Sequence, residues 1–499
     1  LKEVSRKKLI QRESNMLESL AKEALDVLHS KGADYGDVRI EHIMTESLTV
    51  SGTRPEAVRQ SESLGYGIRA LLKGAWGFAA SEVLTKTAVR ETARKALRIA
   101  QASHKACSSH DRYVPSPGIK TRYCTPYECD PFSVPLEEKL TLLTRATEFL
   151  LKNKKIRIAK GFADSFKTRK IFASTNNSMI EQEIVTCGGG ILAMAIENGE
   201  VQIRSYPASF RGNFATKGWE FVREMDLAGN ADRVAAEAAA LLKARECPTD
   251  DDATIILASD QLALQIHESI GHPTELDRVF GQEASFAGTS FLRPDMLGTF
   301  QYASPEVTIV ADATAPFGLG TFGYDDEGTP AQRTTLIENG VLKNFLTSCA
   351  SAPRLKRRLR SNGTARAEGW KNIPLIRMTN LNLEPGSWDF QDLISDTKKG
   401  ILLATNKSWS IDDKRINFQF GTEAAWEIKN GRLGRLFKNP VYTGITPVFW
   451  NGCDAVCHAS YWEFWGIPNC GKGEPCQTMH VGHGAPPARF RHVKIRSAK

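Results

Sequence analysis

Ala253-Thr254-Ile255-Ile256-Leu257-Ala258 is followed by Ser259-Asp260-Gln261-Leu262-Ala263-Leu264-Gln265 and then by Ile266-His267-Glu268-Ser269-Ile270-Gly271-His272-Pro273. The first run is apolar without a break and rich in β-branched residues, the pattern of a buried strand. Ser259 and Asp260 are residue types that cap helices, so a helix is expected to start there. Immediately upstream, Cys247-Pro248-Thr249-Asp250-Asp251-Asp252 interrupts all periodicity and marks a domain boundary. The chain therefore divides into residues 16–248 and 249–499, with residues 1–15 as an extension ahead of Met16.

Upstream of the boundary, Leu17, Leu20, Ala21, Ala24 and Leu28 recur at helical spacing, and Gly32 follows as a stop. Strand-like runs come next at 37–42, 47–51 and 66–72. A second helix is expected over 85–102, with Val89, Ala93, Ala96, Leu97 and Ala100 along one side. Residues 107–133 read as loop, Pro135 opens a third helix, residues 156–209 read as short strands, and 224–245 returns to helix. Downstream of Pro273 the runs are short strands and turns, at 307–310, 340–345, 376–379, 400–404 and 416–420. The expected fold is α+β with two domains: a mixed α/β amino-terminal domain and a largely β carboxy-terminal domain, barrel-like or of stacked sheets, carrying one metal-binding helix.

Of the 499 residues, 41% are hydrophobic and 24% charged, with 39 Gly and 22 Pro, which excludes wholesale disorder, collagen and coiled coil. The excess of 65 basic over 57 acidic residues is spread too thinly to argue for a polyanion partner. One dense run, Arg354-Leu355-Lys356-Arg357-Arg358-Leu359-Arg360, reads as solvated loop, so nucleic acid is not expected as a partner. No segment reaches the ~18 to 20 apolar residues of a membrane span. The amino terminus, Leu1-Lys2-Glu3-Val4-Ser5-Arg6-Lys7-Lys8, holds no apolar signal core. A cytoplasmic chain with its ten cysteines reduced is expected.

Two imidazoles four residues apart share one face of a helix and can hold one zinc ion. His267 and His272 are five apart, about 140° around an ideal helix. The helix must therefore distort or end between them, and Gly271 and Pro273 both favour that. Polar residues near a helix end are the bland alternative. Two His and a Glu within six residues, in a chain with ten His, favour a metal. A catalytic zinc site takes three protein ligands, and candidates for the third lie in Asn469-Cys470-Gly471-Lys472-Gly473-Glu474-Pro475-Cys476. A thiol in a glycine-rich turn, two residues from a Lys, is placed for a lowered pKa. His480 and His483 are alternatives. A rival arrangement, a structural zinc cluster of Cys453, Cys457, Cys470 and Cys476, has unusual spacing for that purpose. Gly318-Leu319-Gly320-Thr321-Phe322-Gly323 formally matches a dinucleotide fingerprint. Tyr324-Asp325-Asp326-Glu327-Gly328-Thr329-Pro330 stands where the phosphate-binding helix is required, so no such site is expected.

The His267 to His272 motif and the Gly323 to Pro330 motif do not stand alone. Arg377-Met378-Thr379-Asn380, Asn417-Phe418-Gln419-Phe420-Gly421-Thr422-Glu423, Asn469-Cys470-Gly471-Lys472-Gly473, Ser61-Glu62-Ser63-Leu64-Gly65-Tyr66-Gly67 and Trp76-Gly77-Phe78-Ala79 accompany them. Together these resemble the TldD/PmbA family of metallopeptidases, over nearly everything from Met16 onward. The resemblance implies Zn2+ held by His267, His272 and Cys470, with Glu268 as general base, in an enzyme that hydrolyses unfolded or short peptides. It implies a homodimer or a heterodimer with a TldE/PmbA-like subunit. The His-Glu motif, generally lacking in the inactive partner subunits, puts this chain on the catalytic TldD side. Cys476 stands where the family has a small residue. Broad substrate range follows if the peptide adds as a strand to a sheet edge, with residues 318–328 lining the groove or forming a surface loop. The rival from another class is a non-enzymatic, zinc-stabilised binding or scaffold protein, for which metal loss unfolds the chain with no peptidase activity to lose.

Overall fold

Tyr35–Ser51, expected as two short runs, is one strand of 17 residues, and Ile156–Ser174 and Met179–Glu197 run for 19 residues each. The computed structural model describes residues 2–106, 112–286, 288–356 and 360–498. Arg357, Arg358 and Leu359 of the basic run, and Cys107, lie outside the described residues. The long strands form an eight-stranded sheet with Arg54–Leu72, Ala75–Ser81 and Lys120–Cys124, and two shorter strands attach to Met179–Glu197. Lys120–Cys124 falls inside the segment expected as loop and joins in parallel. The first helix runs Lys2–Ser30, across the expected boundary at Met16.

Alternation along these strands sorts the sheet into two faces. Val38, Ile40, Leu48 and Val50 all share one parity and are buried, the first two under the helices Lys2–Ser30 and Lys86–Ala106. The latter two lie under Leu136–Leu151 and Leu227–Leu241. The helix Lys86–Ala106 presents the small, apolar side expected of it, and Gly77 lets the sheet come close. A Cβ on Gly77 would sit 2.0 Å from the Ala96 carbonyl oxygen. The opposite parity, Arg39, Glu41, Ile43, Thr45 and Ser47, is polar in large part and faces the second half of the chain. Polar residues on a covered face hid these strands from a reading based on apolar runs.

The charges on that face are matched by the acidic segment. Arg39 Nη1 lies 2.8 Å from Glu41 and 3.8 Å from Asp326, and Lys170 pairs with Asp326. Arg69 bridges Asp37 at 2.6 Å and Glu327 at 3.3 Å. Asp325 accepts the backbone N–H groups of Glu327, Thr329 and Ala365 at 2.8 to 3.1 Å. Residues 325–327 are therefore a buried clasp between the halves, and Leu319, Thr321, Phe322 and Tyr324 line a cavity beside it. The surface-loop expectation is corrected. No helix follows Gly323.

In the second half, Asp250–Leu257 pairs in parallel with Lys399–Ile411 and antiparallel with Ala488–Ser497. Pro440–Ile445 and Asn417–Lys429 complete the circuit, closing a five-stranded barrel. Closure removes the free edges of those strands and encloses a packed interior. Phe449 stacks on Phe490 at 4.3 Å between ring centres, and Phe420 on Tyr442 at 5.6 Å. The fold class is α+β, with barrel and long sheet joined by the clasp. No helix among the described residues is long and apolar enough to cross a membrane.

Candidate metal centre

The helix Ser259–Ile266 is buried on all sides from Gln261 onward, so its polar side chains need internal partners. Gln261 donates to the Tyr442 hydroxyl at 2.8 Å, and that hydroxyl donates to Gln265 at 2.9 Å, which ties the helix to the barrel core. Ser259 does not cap the helix; its hydroxyl donates to the Ala485 carbonyl, and Ala258 takes the cap position. The α-helix stops at Ile266. His267–Gly271 forms a wider π-helical turn and His272–Thr274 a 3₁₀ turn. The widened turn is the distortion that five-residue spacing demands, and such turns recur at functional sites. Trp450 Nε1 donates to the Ser269 hydroxyl at 2.9 Å and Tyr302 to the Ser269 carbonyl, pinning the turn from outside. Gly271 is required by close approach: a Cβ there would lie 2.0 Å from the Met378 sulfur.

With the turn in this shape, the rings of His267 and His272 stand 4.8 Å apart and nearly perpendicular. Cys470 reaches them from the hairpin Glu463–Lys472 and Gln477–Ala485, whose register shifts between Ile467 and Cys470. A bulge of this kind re-aims a side chain. Cys470 Sγ lies 3.9 Å from His272 Nε2, and one donor atom from each of His267, His272 and Cys470 falls within 4.8 Å of the others. All three residues are buried, as is Glu268, whose carboxylate pairs with Arg415 at 2.9 Å. These are the four residues singled out from the sequence. Among the described residues this is the one group of three or more His, Cys, Asp or Glu with donors so convergent. The four-cysteine cluster does not form: Cys453 and Cys457 are buried in the core, and Cys476 is exposed beside Gly471, whose position on the strand faces away from Cys470. The nine described cysteines are all free thiols.

An outer ring orients the donors. His272 Nδ1 meets Glu275 at 3.0 Å, and Arg278 donates to the same carboxylate at 2.9 Å, with Lys472 at 3.3 Å. His267 Nδ1 meets His483 Nε2 at 2.8 Å. With both Nδ1 atoms engaged, Nε2 of each ring is left to face inward. Burial pulls both His267 and His272 down to about 4, so they are neutral donors at neutral pH. Burial alone would raise the Cys470 thiol, but Arg377 and His272 outweigh it and hold it below its ordinary value. Arg377 also donates to the Cys470 carbonyl. The lowered thiol expected from Lys472 is thus the work of Arg377; Lys472 instead pairs with Asp277 at 2.8 Å and with Glu275. Burial raises the Glu275 carboxyl, yet Lys472 and His272 bring it well below the usual range. Glu275, Arg278, Arg377 and Arg415 went unassigned in the sequence reading, and His483 was only an alternative ligand. Arg377 sits in a quoted motif, and that was the available signal.

Two neutral imidazoles and a thiol whose ionisation is eased, buried and converging, fit a borderline-soft divalent ion of the first transition row. Such a centre beside a buried carboxylate is compatible with the chemistry of a metal-dependent hydrolase. Profiles of three consecutive regions match the chain: PmbA/TldA metallopeptidase domain 1 over 36–100, the central domain over 129–246 and the C-terminal domain over 250–497. The chain belongs to the PmbA/TldD metallopeptidase family. It is 32% identical to Metalloprotease MJ0996 of Methanocaldococcus jannaschii across 82% of this chain and 87% of that one. It is 23% identical to the Zinc metalloprotease TldD homolog of Saccharolobus solfataricus across 94% and 96%. Two solved structures share the fold. One is a Thermotoga maritima protein named as a candidate modulator of a DNA gyrase, at 17% identity, TM-score 0.74 and 96% and 100% coverage. The other is TldE from Thermococcus kodakarensis, at 16%, 0.69, and 97% and 100%.

Proposed function

We propose that this chain is a zinc-dependent peptidase acting on unfolded or short peptides, with His267, His272 and Cys470 as ligands and Glu268 as general base. The observation that carries the reading is the convergence of three buried donors within 4.8 Å beside a buried carboxylate. When bound, zinc supplies a Lewis acid that polarises a scissile carbonyl and lowers the pKa of water toward about 7. Glu268, oriented by Arg415, accepts the proton of the attacking water and hands it to the leaving amine. His483 and Glu275 hold the two imidazoles with Nε2 inward, and Arg377 favours the thiolate of Cys470. Burial excludes bulk water from these groups and strengthens each of their interactions. Extended peptides suit a buried centre that folded proteins cannot reach. A homodimer or a heterodimer with a TldE/PmbA-like subunit is the proposed assembly.

Metal analysis of the purified chain, paired with incubation on an unstructured peptide with and without chelator, tests the reading. Glu268→Ala is expected to keep zinc and lose about 10²- to 10⁴-fold in kcat, while Cys470→Ser loses zinc. Hydrolysis retained by Glu268→Ala refutes the base assignment. Zinc retained by Cys470→Ser refutes the ligand set. Unfolding on metal removal, without any peptidase activity to lose, points to a scaffold instead.

A further inference from the structure

A cavity of about 590 Å³ lies between the polar face of the long sheet and the second half of the chain, and Asn469, the residue before Cys470, forms part of its wall. The buried charges around it are matched with one exception. Lys170 pairs with Asp326, and Arg211 with Asp164 at 2.6 Å. Arg366 is 9% exposed and has no carboxylate within ion-pair distance among the described residues. Its Nη2 donates to the Met378 carbonyl, its guanidinium carbon lies 5.2 Å from the centre of the Phe322 ring, and its buried Nε has no hydrogen-bond acceptor. Burial, with Arg377 alongside, draws it down to about 9. Asp326 and Asp325 offset part of this from a distance, but neither comes within ion-pair reach, so the guanidinium, held out of water beside another cation, has no anion in contact with it.

The placement joins this charge to the metal centre. Met378, whose carbonyl Arg366 holds, packs its sulfur against Gly271 between the two histidines. The Cys470 sulfur is close enough to act on the Arg366 charge. Arginine presents a planar fork of donors that matches a carboxylate in two-point contact. On the peptidase reading above, we propose that Arg366 receives a carboxylate of the peptide substrate, so that peptides bearing one near the cleaved bond are the favoured class. A chain terminus and an Asp or Glu side chain both supply that group.

The test uses the zinc-loaded full chain and unstructured peptides that differ in one feature at a time: a free against an amidated carboxyl terminus, and Asp against Asn at successive positions. In at least one pair kcat/KM is expected to favour the carboxylate by about 10- to 100-fold. The terminal pair or the Asp/Asn pairs then identify its source. Arg366→Gln is expected to collapse that ratio to within about threefold. Equal kcat/KM within every pair for the native chain overturns the proposal, whether or not Arg366→Gln folds. A ratio that survives in folded Arg366→Gln overturns it as well. If the native chain binds zinc and cleaves none of the peptides, the peptidase reading itself fails and takes this assignment with it.

Discussion

Two buried polar clusters lie close together in this molecule, and both fall in segments dense with titratable residues. The clasp at 325–327 sets Asp326 and Glu327 against Arg39, Arg69 and Lys170, and Asp325 against a row of backbone N–H groups. At the candidate metal centre the outer ring holds His267 Nδ1 through His483 and His272 Nδ1 through Glu275, while His267, His272 and Cys470 bring one donor atom each to within 4.8 Å of one another. Density of acidic and basic residues does not separate a site from a strut. What separates them is what the groups are: the clasp sets carboxylates against cations, whereas the other cluster gathers two imidazoles and a sulfur, atoms of one lone-pair kind, at a single point.

Breaking the clasp gives the largest expected effect. Asp326→Asn leaves Lys170 without its nearest counter-charge, and loss of one partner of a buried pair costs about 3–5 kcal/mol. Urea unfolding should show that loss while zinc affinity of the folded variant stays within about threefold. Zinc loss from a folded, equally stable variant would erase the distinction between the clusters. Acid should act on the other cluster. In metal-free protein His267 and His272 sit near 4 against an unfolded value near 6.5, so the unfolded chain binds more protons between those values. Their stabilisation is complete above pH 6.5 and drains as pH falls toward 4, at about 1.4 kcal/mol per pH unit for each ring. A urea midpoint in chelator that stays flat from pH 6.5 to 5 contradicts this.

The smallest effect probes the outer ring alone. Two neutral imidazoles 2.8 Å apart share one proton between the facing nitrogens. If His267 Nδ1 donates, its Nε2 keeps a lone pair for metal and His483 accepts at Nε2. His483→Phe removes the acceptor and should weaken zinc binding about 10- to 100-fold by chelator competition. His483→Gln can return an oxygen to the Nε2 position and His483→Asn cannot. Equal affinities in those two variants remove His483 from the ring.

The metal helix, the β-rich second half and the thiol near its end were readable because each announces itself locally: an apolar run, a glycine and proline after paired histidines, a cysteine in a turn. The barrel closes through contacts between Asp250–Leu257 and Ala488–Ser497, which no local pattern records. The long strands were read as fragments because one face of Tyr35–Ser51 is polar yet covered. His483 stayed an alternative because its partner lies 216 residues away. Arg377 was quoted within a motif but its action on Cys470 is a matter of three-dimensional proximity.

The same long separation has a bearing on when the candidate centre can assemble. His267 and His272 are made some two hundred residues before Cys470, and the barrel strand Ala488–Ser497 is made later still. A nascent chain carrying the first two donors therefore has no third, and the hairpin that delivers it completes just ahead of that closing strand. Synthesis itself delays assembly of the candidate centre until the hairpin Glu463–Lys472 and Gln477–Ala485 has been made.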